Sequence, residues 1–220
     1  MKNIFLLILA FLSLNIYAQK KIEVQETNAS FDNGKHNALK VIIYEAKQKD
    51  VEKAWKSLMK DYNAKVNMKK TIFADDATIK DMSENTIDIY ATTDKTKDGD
   101  VILYVAFDLG GAYLSSSQHG DKFKTAKKII HKFAVETTKD ALKDKIKDAE
   151  KILGNKQKDQ KNLEKENKKL HDDIENYKKK IEKAKEDIKE NEKNQADKKK
   201  EVEEQQSIVN KLNEKEKAVK

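Results

Sequence analysis

Residue types suited to catalysis or anion binding crowd into one stretch. It reads Asp108-Leu109-Gly110-Gly111-Ala112-Tyr113-Leu114, then Ser115-Ser116-Ser117-Gln118-His119-Gly120. An acid, a hydroxyl and an imidazole are the parts of a nucleophilic triad, in which the imidazole takes the hydroxyl proton and the carboxylate orients the imidazole. The glycine pair offers another chemistry, because backbone N–H groups between a strand and a helix can hold an anion. Asp108, Gly110, Gly111, Ser117 and His119 are the candidate ligand-binding residues on these grounds. Neither chemistry has its signature spacing: the G-x-S-x-G elbow, the G-x-x-x-x-G-K-[ST] phosphate loop and the G-x-G-x-x-G fingerprint are all missing. A strand-to-helix connection that needs glycine dihedrals and a polar cap accounts for the same residues.

A second constellation is Asp94-Lys95-Thr96-Lys97-Asp98-Gly99-Asp100. Asp94, Thr96, Asp98 and Asp100 put oxygen ligands at alternate positions with glycine sixth, as a calcium loop begins. Its twelfth position, where a bidentate glutamate belongs, is Val105. A solvated hairpin turn is the better reading. His36, His131 and His171 stand outside any H-E-x-x-H or H-x-H pair. Consecutive residues of a helix face different ways, which argues against a metal site at His171-Asp172-Asp173. With no cysteine in 220 residues, disulfide scaffolds, thiol catalysis and cysteine-held zinc are excluded. No cofactor is called for, and no enzyme class is indicated.

The elements that must position these residues divide the chain unevenly. Lys2, an apolar run at residues 4–14 and Ala18 before Gln19 have the layout of a secretory signal peptide over residues 1–18. The run is too short to span about 30 Å of hydrocarbon, so an exported protein, periplasmic or secreted, is expected. Residues 19–140 hold 21 lysines and 19 acids with nearly all the remaining aromatics. Residues 141–220 hold 24 lysines and 20 acids with Tyr177 as the single aromatic. The absence of arginine and proline, with many Lys, Asn and Ile, matches an AT-rich bacterial genome and discounts the basicity. Lysines interleaved with acids form a solvated, ion-paired face and predict no specific nucleic-acid partner.

Residues 19–140 alternate as a small α+β domain does. Ile22 and Val24 predict a first strand, Asn33-Gly34 a hairpin turn, and residues 39–46 a second strand. Asp50 is placed to cap a helix with Val51, Ala54, Trp55, Leu58, Met59 and Tyr62 on one face. Strands are expected at residues 65–73, 86–92 and 101–108, and a second helix from about Asp121. This order favours a small antiparallel sheet with two helices on one face.

Residues 141–220 keep heptad time. With Ile146 at a and Ala149 at d, fifteen of 23 a and d positions are apolar in one unbroken frame. The seam includes Leu163, Leu170, Ile174, Tyr177, Ile181, Ile188, Val202, Val209 and Leu212, with β-branched residues at a and leucine at several d positions, the pattern of a coiled coil. Gly154-Asn155 is a helix-stop pair, and Asn191, Gln195 and Lys198 leave the seam polar. Two forms are open: a rod of about 117 Å at about 1.5 Å per residue, or a hairpin reversing near residues 194–197. Asn167 at an a position fits a register device in two-stranded coils, and fits equally a surface asparagine on a helix whose partner lies elsewhere.

These elements predict an exported, non-catalytic scaffold: an α+β domain carried by an oligomerising or hairpin helical tail, with an envelope protein as partner. The layout of a small domain with basic helical arms is similar in outline to the Skp chaperones, a likeness of architecture without a shared motif. It implies a periplasmic holdase as the alternative. An enzyme using the 108–120 loop is the lesser alternative.

Overall fold

In a computed structural model, the structure describes residues 21–218; the signal peptide read at residues 1–18 lies outside them. Six strands form one antiparallel sheet: β1 (Gln25–Phe31), β2 (Gly34–Ile43), β3 (Lys65–Met68), β4 (Ile72–Ala77), β5 (Ile87–Lys95) and β6 (Val101–Asp108). Their order across the sheet is β1-β2-β6-β5-β4-β3. Helix α1 (Gln48–Asp61) follows β2, and helix α2 (Gly120–Ala218) follows β6. The fold is α+β with a helix of about a hundred residues at its end.

The alternation of side chains sets the two sheet faces. Leu39, Val41 and Ile43 of β2, Ile89 and Ala91 of β5, and Leu103, Val105 and Phe107 of β6 point to one core. Val51, Trp55 and Met59 of α1 fill it from the helix side, joined by Ala126, Ile130, Phe133 and Ala134 of α2. Both helices therefore bury their apolar stripe on the same sheet face, as a spacing of three and four dictates.

Several boundaries differ from expectation for local reasons. Ile22 and Val24 precede β1; Val24 is buried in the core without entering a strand. The N-cap of α1 is Lys47, with no side-chain cap bond, and Asp50 lies in the first turn, where its charge suits the helix dipole. The strand expected over residues 65–73 is two strands, because the chain turns back at Lys69 and Lys70. The strand expected at residues 86–92 runs to Lys95, and the last strand matches its expected bounds.

α2 is continuous through Gly154-Asn155 and through residues 194–197. Neither the stop pair nor the reversal forms. A helix-interior glycine costs only about 1 kcal/mol relative to alanine, and Lys, Glu, Ala and Leu on either side favour the helix. A polar seam removes packing but not helix propensity. By its contacts the chain makes two compact units that divide between Glu150 and Lys151.

Candidate functional sites on the sheet and the long helix

The 108–120 loop is a self-bonded connection. Gly110 takes φ +85°, a left-handed conformation open to glycine, and its N–H donates to Asp108 Oδ1 at 3.0 Å. Leu109 N–H donates to the Ala112 carbonyl, and Leu114 N–H reaches back to the Phe107 carbonyl. Further along, His119 Nδ1 accepts from Ser115 N–H at 3.3 Å, and the Ser115 and Ser117 hydroxyls lie 3.3 Å apart. Asp108, Ser117 and His119 thus bond to their own neighbours along the chain. Among the described residues, no hydrogen bond links the aspartate to the imidazole, or the imidazole to Ser117. Gly111 is also at positive φ, with open space where a side chain would stand.

The loop is anchored to the sheet by Glu26 of β1. Its carboxylate accepts from the Ser116 N–H at 3.0 Å, from the Ser116 hydroxyl and from Asn37 Nδ2 at 2.7 Å. These bonds, led by the Ser116 hydroxyl, hold the Glu26 carboxyl below its ordinary value of 4.5. Asn37 Nδ2 also donates to the Leu114 carbonyl at 2.7 Å.

The 94–100 segment is a tight turn between β5 and β6. Thr96 Oγ1 accepts from Asp100 N–H at 3.0 Å, Thr96 N–H donates to the Asp100 carbonyl at 2.8 Å, and Asp94 Oδ1 accepts from Lys95 N–H. Asp100 Oδ1 instead accepts from the Glu45 N–H at 3.1 Å, tying the turn to the loop before α1. The carboxylates that do converge among the described residues are Asp75, Asp76 and Asp88, with ligand atoms within 4.8 Å of one another. Asp76 sits at φ +58° where β4 slips register between Ala74 and Ala77. It also accepts from the Thr86 hydroxyl and stands 4.0 Å from Lys65 Nζ.

The sheet face away from the helices carries an aromatic cluster that sequence reasoning missed. Tyr113 of the 108–120 loop lies flat on His36, centroids 3.8 Å apart at 11°, and its hydroxyl accepts from Asn33 Nδ2 at 2.9 Å. Phe73 stacks on Tyr90 at 4.8 Å, and the Phe31 ring lies 6.3 Å from that of His36 and 6.4 Å from that of Tyr90. Ala29, Ala38 and Ala106 fill the space around Phe31. Burial and then the Asp88 and Asp108 carboxylates push the Tyr90 phenol up; burial foremost raises Tyr113, against the Asn33 bond that lowers it. The rings come from β1, β2, β4 and β5 and from one loop residue, Tyr113, and their meeting depends on strand order and register. Across this face Asp32 N–H donates to Thr71 Oγ1 at 2.9 Å and Thr71 N–H to Asp32 Oδ2 at 3.3 Å. That pair joins the β1–β2 turn to the β3–β4 turn, so the sheet curls.

On α2 the faces separate cleanly. Carrying the heptad frame back toward Gly120, the core residues Ala126, Ile130, Phe133 and Ala134 occupy b, f, b and c. The first seam residues, Leu142 and Ile146, occupy d and a and are exposed. Of the fifteen exposed large apolar residues in the described chain, all but Met68 lie on α2, and twelve of those fourteen are at a or d. Leu163 is 65% exposed and Ile181 53%. Ile152 and Ile208, at g, widen the stripe beyond the a and d seam. Scattered exposed leucines are ordinary, but one aligned stripe marks an interaction face. No described helix is long and apolar enough to cross a membrane.

Compared with protein-family models, with curated proteins and with solved structures, the chain finds no match in any of the three.

Proposed function

We propose that this protein is an exported, non-catalytic interaction scaffold. Its α+β domain engages an envelope partner, and its long helix sets the oligomeric state. One observation carries the reading: twelve of the fourteen exposed large apolar residues of α2 fall on the a and d positions, with Ile152 and Ile208 at the adjoining g, in one stripe exposed in the isolated chain. Each a or d side chain in a coiled coil packs into a hole between four residues of a facing helix. Such a stripe gains its burial only from a partner. Export rests on the signal-like residues 1–18, and the non-catalytic reading rests on the inward bonding of Asp108 and His119 within their loop.

The test is solution mass by sedimentation or light scattering across concentration, for the wild-type chain and for Ile181→Lys. A self-associating helix gives a mass above one chain, and the lysine reduces that mass by placing a charge in the apolar seam. A mass of one chain at every concentration would sink this reading. The Skp-like alternative draws on the same stripe and on the lysines beside it. Suppression of outer-membrane protein aggregation that weakens with salt would replace the scaffold with a holdase. A turnover abolished by His119→Ala in a folded protein would replace both with an enzyme of the 108–120 loop.

A further inference from the structure

We infer that the partner of α2 is a second copy of the same helix running antiparallel, in the register that sets Ile174 against Tyr177 of the second copy. This rests on the proposal that α2 self-associates, and adds direction and register to it. In an antiparallel pair every a residue meets a d residue. The proposed register also sets Ile181 against Leu170 and Ile188 against Leu163, and by symmetry each pairing occurs twice. Between them, Asn167 meets Ala184. All of these apolar residues except Ala184 are large and exposed in the single chain.

The polar interruptions single out this register. It sets Gln160 opposite Asn191 and Lys156 opposite Gln195, so most of the two polar stretches face each other where water can reach both, with Lys198 left against Leu153. A shift of one heptad puts Lys156 against Ile188 in one direction and Gln195 against Leu163 in the other. A shift of two heptads in the latter direction puts Asn191 against Ile174. Each shift leaves more of these polar-on-apolar pairs than the three of the proposed register, Ile146 with Gln205, Leu153 with Lys198 and Asn167 with Ala184.

Flanking charge sets the direction. In the antiparallel register Glu164 meets Lys185 and Asp173 meets Lys180, while His171 faces Lys178 and Glu166 faces Asp187, the one pair of like charges with histidine neutral. A parallel pair in register matches g with the following e. That arrangement gains Lys145 with Glu150 and Asp173 with Lys178, two attractions against three in the antiparallel pair once Glu150 with Lys199 is counted, and it opposes Asp159 to Glu164, Lys180 to Lys185 and Asp187 to Glu192. The antiparallel arrangement therefore carries more attraction and less repulsion along the same stripe. The core residues of α2 lie at b, c and f, so the domain's own packing does not use the a and d positions.

The natural chain has no cysteine, so introduced thiols report without background. Leu163→Cys and Ile188→Cys are made separately in the full chain, then each alone and an equal mixture are unfolded, refolded and oxidised with diamide. The expected result is a covalent dimer from the mixture, seen on a non-reducing gel as a shift from the mass of one chain to that of two. Neither variant alone should shift, because each thiol and its own copy sit 25 positions apart, about 37 Å at about 1.5 Å per residue. Circular dichroism confirms that both variants remain helical, and Leu163→Ser and Ile188→Ser, assayed for mass, show whether either site tolerates change. Self-cross-linking of each variant, in a wild-type protein of dimer mass, overturns the antiparallel register and leaves self-association standing. A mixture that fails to cross-link beside a wild-type dimer overturns the register as well. A monomeric wild type removes both.

Discussion

The indole of Trp55 on α1 meets the ring of Phe133 on α2 edge-on, with centroids 5.0 Å apart and planes at 81°. This contact fixes where the long helix enters the domain, because Trp55 is fully buried and Phe133 nearly so. Edge-to-face aromatic pairs add about 0.5–1.5 kcal/mol beyond their burial.

Replacing Phe133 with alanine should therefore destabilise the domain by about 3–5 kcal/mol, the range for truncating a buried phenylalanine. Trp55 is the single tryptophan, so denaturant unfolding followed by its fluorescence reads this site directly. A midpoint close to wild type would show that the entry of α2 is held elsewhere.

Acid should release the 108–120 loop from β1. The Glu26 carboxyl is held below its ordinary 4.5 by the Ser116 hydroxyl, then the Ser116 N–H and Asn37. A depressed folded value means that the stabilisation is complete above the unfolded pKa and is lost as pH falls through the folded one. Glu26→Gln should mimic the acid state at neutral pH and flatten that part of the pH dependence. Amide exchange at Ser116 checks it: protection should fall with acid in the wild type and start low in the variant.

Alkali should weaken the opposite sheet face. Burial raises Tyr90 and Tyr113 above the ordinary phenol value of 10.0. For a raised acid, the stabilisation is present below the unfolded pKa and disappears as pH climbs through the folded value. Absorbance titration should show three phenols, Tyr90, Tyr113 and the likewise partly buried Tyr62, ionising after the exposed ones, with stability declining above pH 10. Simultaneous ionisation of all the tyrosines would contradict the burial of this cluster.

Much of this was legible because it is local. The faces of α1 and the domain part of α2 follow from spacing: Trp55 and Met59, or Ile130 and Phe133, recur at helical intervals. Residues 101–108 read as a strand because an apolar run of that length has few other uses. The 65–73 segment did not reveal its break, since Lys69 and Lys70 carry no glycine or proline to mark a turn. Gly154-Asn155 misled for the opposite reason: a strong local stop signal sits among good helix formers. The aromatic face was hidden because Phe31, His36, Phe73, Tyr90 and Tyr113 are scattered over 83 positions. Only strand order, with β6 between β2 and β5, brings them together. The seam was visible in full, since heptad position alone decides which side of a long helix a residue occupies.

The Asp32–Thr71 exchange should act as a clasp between the two turns. Thr71 is buried, 5% exposed, and supplies both an acceptor and a donor to Asp32. Thr71→Val keeps the side-chain shape and removes the acceptor; Asp32 is exposed and its N–H can turn to water, so the cost is that of one hydrogen bond, about 0.5–1.5 kcal/mol. Faster amide exchange at Asp32 with an otherwise native spectrum is the expected signature. Unchanged exchange would mean that the curl of the sheet does not depend on this pair.

The two compact units should also respond separately to mutation. Ile181 lies on α2 well beyond Glu150, where the domain unit ends, and it contributes nothing to the core that holds Trp55. Distant sites without shared partners usually add to within about 0.3–0.5 kcal/mol. Ile181→Lys should therefore lower the solution mass while leaving the Trp55 unfolding midpoint in place. Phe133→Ala should do the reverse, shifting that midpoint while the seam still associates under native conditions. The double variant should show both changes at their single-variant size. If Ile181→Lys alone moved the Trp55 midpoint by more than about 0.5 kcal/mol, domain stability would be coupled to association, and the protein would fold as an obligate oligomer.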